Sequence, residues 1–249
     1  MSGHSKWSTI KRQKGVADAR RGQLFTKLAR EIIVAVREGG DNPEGNYRLR
    51  LVIQKARDNN MPLDNIERAI KRGSGKAEGA SLVEMTLEGY GPNGAAILVQ
   101  ALSDNRNRTL QEVRNIFTRN GGNLGEAGCV AWLFDSKGLI TVETDGQDSE
   151  ELALQAIDAG AEDVRMEKDY IDIYTKPAEL EKVREALEAK NITIASAELS
   201  MIPKSTVEME EKAALQTLKL LDRLEELDEV QHVSSNVDFS DAILEKYQA

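Results

Sequence analysis

The sequence predicts an α+β fold: an N-terminal three-helix bundle followed by two ferredoxin-like α/β domains, one inserted in the other. Three observations carry this expectation. Apolar residues recur at helical spacing up to residue 73 and then give way to strand-like runs. The stretch 138–202 reads strand, helix, strand, strand, helix, strand, which is a complete split βαβ plan. The segments on either side of it are incomplete as sheets alone and complete together.

In the first domain, Leu24, Leu28, Ile32 and Val36 recur every four residues beside Phe25 and Ala29, and the stripe ends at Gly39-Gly40. Leu49, Val52, Ile53 and Ala56 form a second stripe. A third helix starts at Pro62, whose fixed φ suits a first turn, runs through Leu63, Ile66 and Ile70, and stops at Gly73. The run GSGKAEGA then reads as a linker, so residues 1–76 are expected to hold a basic arm and the bundle.

Beyond the linker, strands near 82–88 and 95–102 flank the turn GYGPNG. A helix follows with Leu110, Val113, Ile116 and Phe117 on one face, capped by Asp104 or Asn105 and closed by Gly121-Gly122. CVAWLF at 129–134 is expected as another apolar strand. A helix near 207–228 and a strand near 230–237 supply the missing pieces. The reading is therefore a discontinuous middle domain, 81–134 plus 206–240, around an inserted domain at 137–203. Within the insert, Leu139–Val142 open the sheet and Asp148 caps its first helix. Val164 with Met166 and Ile171 with Ile173 mark the central strands. A second helix starts at Pro177, and Ala197, Leu199 and Met201 lie on the last strand.

Charge is distributed very unevenly. The 249 residues carry a net charge of -9, yet the first thirty hold eight basic residues (Lys6, Lys11, Arg12, Lys14, Arg20, Arg21, Lys27 and Arg30) against one acid, Asp18. Through Lys76 there are 17 basic and 8 acidic residues, a net +9, which leaves -18 on the remainder. Such a split presents one face to a polyanion, and nucleic acid is the first partner to consider. Trp7 sits among the arm's cations, where it could stack on a base while Lys and Arg neutralise phosphates, or else pack on the bundle. Arg106 and Arg108 open the helix after 105 against its dipole, which suggests an anion contact or a salt bridge to the acidic inserted domain. That domain, 137–202, has 7 basic and 16 acidic residues and lacks the paired aromatics that an RNA-recognition sheet uses for stacking.

Other chemistry is poorly supplied. GYGPNG fits G-x-G-x-x-G, but Pro92 and the extended AAILVQAL after it mark a hairpin, not a dinucleotide loop. GSGKA lacks the Ser or Thr that would ligate magnesium. Only His4 and His232 exist, and Cys129 is the single cysteine, so no metal site, cofactor or nucleophilic triad is expected and the chain reads as a non-enzyme. One cysteine suits a reducing cytosol, and no apolar run reaches the ~20 residues of a membrane span. Asp18 and Glu31 break the acid-poor pattern of a transit peptide, so a cytoplasmic protein is expected.

Six stretches in order resemble the YebC/PmpR family, which includes the mitochondrial translational activator of cytochrome c oxidase: MSGHSKWSTIK, NNMPLDNIERAIKRGSG, EGYGPNGAAILV, SDNRNRT, GGNLGEAGCVAWLF and AELSMIPK. Tyr47, Leu63, Cys129, His232 and Ser235 depart from the usual pattern, Leu63 standing where a lysine is expected. The resemblance implies a three-domain α/β architecture. It also implies control of gene expression through nucleic acid, either as a DNA-binding transcriptional regulator or as a ribosome-associated factor relieving stalled translation. A protein-interaction module using its acidic domains is the third class that fits the residues.

Overall fold

The computed structural model describes residues 18–76, 81–144 and 146–248. Helix α1 (Asp18–Gly39) is followed by α2 (Tyr47–Asp58) and α3 (Leu63–Gly73). Leu28, Ile32, Ile33 and Val36 of α1 share one buried cluster with Leu49, Val52, Ile53 and Ala56 of α2 and Ile66 and Ala69 of α3. Leu63, expected on the inner stripe, is instead 58% exposed, and Ile66, Ala69 and Gly73 carry the buried face of α3. A Cβ on Gly73 would lie 2.7 Å from the Val36 Cβ and 2.8 Å from the Ile33 carbonyl, so α3 ends against α1 at a distance only glycine permits. Buried Asn46 joins α1 to α2. Its side chain accepts from the Leu49 N–H as the cap of α2 and donates to the Ala35 and Gly40 carbonyls near the end of α1.

The next sheet has the order β3-β1-β2-β9, with β1 (Val83–Tyr90), β2 (Ala96–Ser103), β3 (Asn123–Leu124) and β9 (Val230–Ser235). The pairs β1–β2, β1–β3 and β2–β9 are all antiparallel. Helices α4 (Arg106–Arg119) and α7 (Glu211–Glu225) cover one face. Met85, Leu87, Ile97, Val99 and Val233 of the sheet pack there with Val113 and Phe117 of α4 and Leu218, Leu221 and Leu224 of α7. Two pieces had no signal in the sequence: a short parallel pair, β8 (Val207–Glu208) with β10 (Val237–Asp238), and helix α8 (Asp241–Gln248), whose Leu244 closes the same core.

The strand expected at 129–134 is not one. The β1 neighbour is β3, at Asn123–Leu124. CVAWLF instead makes a turn and a single 3-10 turn at Ala131–Leu133, and only Phe134 begins a strand. The cause is a side chain. Glu88, 6% exposed, accepts hydrogen bonds from the N–H groups of Gly128, Val130 and Ala131, so these donors are satisfied by a carboxylate and not by a ladder.

Between Phe134 and Pro203 lies a second compact unit, Asp135–Ile202, while the segments before and after it belong together in the first. Its elements are β4 (Phe134–Glu143), α5 (Ser149–Ala159), β5 (Asp163–Met166), β6 (Tyr170–Thr175), α6 (Leu180–Ala189) and β7 (Ile194–Pro203). The sheet order β5-β6-β4-β7 is that of the split βαβ plan. Asp148 caps α5 through the Glu150 N–H, and Gly160 ends it with φ at 107°. Ile140, Val142, Ile171 and Ile173 of the strands are buried, as are Leu152, Val183 and Leu187 of the helices. Leu139, Tyr174 and Ile202 form a separate buried cluster, and Thr141 donates to buried Asp172 at 2.9 Å.

Candidate nucleic-acid interface

Of the basic residues singled out by sequence, Lys6, Trp7, Lys11, Arg12 and Lys14 lie outside the described residues, as does the side chain of Arg20 in the first turn of α1. Arg21 is exposed on that helix. The next two cations have work inside the fold. The Lys27 ammonium donates to the Glu225 carbonyl at 2.6 Å, and beside it Gln23 donates to the Glu226 carbonyl. These carbonyls end α7, where the helix leaves acceptors without intrahelical donors and where positive charge is favoured. Arg30 donates to the Leu102 carbonyl at 2.9 Å and reaches the Glu229 carboxylate at 3.5 Å. One face of α1 is therefore fastened to the end of α7 and to the C-terminal end of β2.

Arg108 closes the same arrangement. Its guanidinium pairs with Asp104 at 2.8 Å and with Glu229 at 2.9 Å, while Asn105 caps α4 by accepting from the Arg108 N–H. The salt bridge expected toward the acidic insert is thus made to Glu229, at the start of β9, and to a neighbour on its own loop. Glu229, itself nearly buried, sits between two guanidiniums. The Arg108 pKa is raised, first by its hydrogen bond to Glu229 and then by the charge of Asp104. Arg106 is exposed and carries no ion pair among the described residues.

Other cations stand out that sequence reasoning passed over. Arg57 on α2, Arg68, Lys71 and Arg72 on α3, and Arg114 and Arg119 on α4 are exposed and make no ion pair among the described residues. Their only sequence signal is position, at the outer side of each apolar stripe. On α4 the outward side also shows Asn107, Gln111 and Asn115, and its one acid is Glu112.

The turn after β3 forms a different surface. Trp132, expected in an apolar strand, is 65% exposed, and Tyr90 at the end of β1 is 40% exposed. The indole N–H of Trp132 and the hydroxyl of Tyr90 both donate to the Cys129 carbonyl, at 3.1 and 2.9 Å. Lys204 donates through its backbone to the Leu133 carbonyl and through its ammonium to the Trp132 carbonyl, each at 2.9 Å. The Cys129 thiol has its pKa raised by burial and then by the charge of Glu88, the reverse of an activated nucleophile. Among the described residues no group of three or more His, Cys, Asp or Glu is placed to hold a metal ion, and no helix is long and apolar enough to cross a membrane.

A basic helical region, an α/β sheet that the chain leaves and re-enters, and an acidic split-βαβ insert define a class of multidomain α/β proteins. Two family models match the chain: the TACO1/YebC protein N-terminal domain over residues 5–76 and the TACO1/YebC second and third domain over residues 82–237. The chain belongs to the TACO1/YebC family. A probable transcriptional regulatory protein of Dehalococcoides mccartyi is 62% identical over 249 residues, covering 100% of this chain and 99% of that one. Another, from Moorella thermoacetica, is 55% identical over 249 residues, covering 99% of each. The crystal structure of a conserved hypothetical protein from Aquifex aeolicus superimposes with a TM-score of 0.85 at 51% identity, covering 90% of this chain and 93% of that one.

Proposed function

We propose that this protein is a non-enzymatic regulator of gene expression that binds nucleic acid, with the basic arm and the outer faces of α2, α3 and α4 as its contact surface. The observation that carries the reading is the set of exposed basic residues that make no ion pair among the described residues (Arg57, Arg68, Lys71, Arg72, Arg106, Arg114 and Arg119) in a chain of net charge -9 with 42 acids. Lysines and arginines spread over several elements suit contacts to phosphates, which position a protein without reading bases. That pattern favours ribosomal RNA and a role in assisting translation. A second reading rests on α4, where Asn107, Gln111 and Arg114 follow at i, i+4 and i+7. Those side chains are suited to base edges in a major groove, and several relatives carry a transcriptional label.

Ribosome sedimentation at stepped salt separates the two. The translational reading expects co-sedimentation at low salt, weakened in Arg68→Glu/Lys71→Glu/Arg72→Glu, with no shift of promoter duplexes beyond non-specific binding. A protein that stays off ribosomes yet shifts one duplex selectively, and loses selectivity in Gln111→Ala/Arg114→Ala, would instead be a transcriptional regulator. Absence of both would leave the acidic protein-interaction module as the better description.

A further inference from the structure

We infer that Trp132 and Tyr90 form a stacking platform for an unpaired nucleobase, with the Lys204 ammonium beside it for the adjoining phosphate. The inference rests on the nucleic-acid reading above but adds a site separate from the basic helices. Aromatics make up only 4% of the chain, and Trp132 is among the most exposed of its large apolar side chains. Exposure of an indole costs hydrophobic stabilisation that a core position would have gained, and the turn holds it outward by construction. Glu88 clamps the turn through three backbone N–H groups, and the Cys129 carbonyl takes both ring donors.

That geometry decides what the surface can recognise. With indole N–H and phenol O–H both committed to Cys129, the rings offer π surface and few hydrogen-bonding groups. This is the requirement for sequence-tolerant stacking on a base. The two rings are held near one another because they share one acceptor, so little rotamer freedom is lost on binding. Lys204 is anchored to the Trp132 carbonyl, which places a cation at the same turn. A base inside a duplex hides its faces in the stack, so the ligand is a single strand, a loop or a flipped nucleotide.

The test uses the full-length protein and a twelve-nucleotide oligouridine, with the same length of RNA duplex as comparison. In Trp7→Phe, where Trp132 is the one remaining indole, oligouridine should quench the emission and the duplex should not. Trp132→Ala should raise the oligouridine Kd about 5- to 150-fold, the span of about 1–3 kcal/mol per stacked base, while Trp132→Phe should restore most of the affinity. Lys204→Gln should lower the salt dependence of that binding. Unaltered oligouridine affinity in Trp132→Ala, with wild-type binding intact and lost on deleting residues 2–21, would overturn the platform, leave the nucleic-acid function standing and assign the aromatic turn to a protein partner. Failure of the wild type to bind either RNA would overturn both.

Discussion

Glu88 shows how one side chain can set a loop. It is nearly buried, and burial alone would raise its pKa. Three backbone N–H donors outweigh that and hold the carboxyl below its ordinary value. A carboxylate whose folded pKa is depressed contributes stability above its unfolded pKa, near 4.3 for glutamate, and loses it as pH falls through the folded value. Glu88→Gln puts an amide N–H₂ where donors already converge and should cost about 1–3 kcal/mol at pH 7. Urea unfolding of wild type and variant should therefore differ at pH 7 and converge as pH drops through and below 4. A gap that stays constant from pH 7 to pH 3 would show that the carboxylate charge has no part in it. The same variant frees the turn that carries Trp132, so oligouridine quenching should weaken with it.

At the scale of elements, Lys27, Arg30 and Arg108 separate structural from recognition charge. If Arg30 and Arg108 serve to dock α1 and α4 on Glu229, then Glu229→Gln should lower the stability by about 1–3 kcal/mol while leaving nucleic-acid affinity unchanged. If they serve as phosphate contacts, Arg30→Ala should reduce affinity with the melting temperature unmoved. We expect the first outcome, because both guanidiniums already point at internal acceptors. Local pattern could not have revealed this: Lys27 and its acceptor are 198 residues apart, and Arg30 and Glu229 are 199. What the sequence does show is local. Helices α1 to α6 lie where apolar spacing, Asn105, Asp148 and the closing glycines put them, because capping and periodicity act within a few residues. CVAWLF misled for the opposite reason: its apolar run looks like a strand, but Glu88, some forty residues earlier, takes the backbone donors a strand would have used. The arm's candidates are legible as charge alone, and deletion of residues 2–21, which removes six of the first thirty residues' eight cations, should abolish most affinity and flatten the salt dependence of what remains.

For the whole molecule, the insertion point makes a strong test of organisation. The chain leaves the first unit at Phe134 and re-enters at Pro203, and the Lys204 N–H donates to the Leu133 carbonyl at 2.9 Å, so the two ends of the insert meet. Replacing residues 135–202 by a short Gly-Ser connection should then leave the β3-β1-β2-β9 sheet folded, because each of its strands and both covering helices remain. Residues 135–202 expressed alone should fold cooperatively, having every strand and helix of their own sheet. Residues 77–136 alone should not, since α7 and β9 are missing from their core. Excision also removes the whole net -9 carried by 137–202, together with Asp135, and with it a negative field that opposes a polyanion. The excised protein should therefore bind single-stranded RNA more tightly than the full chain at low salt. The difference should shrink as ionic strength rises toward 1 M, where the screening length falls to about 3 Å. Weaker binding on excision, with the remaining protein shown folded by its near-UV circular dichroism, would mean the acidic unit itself contacts the nucleic acid.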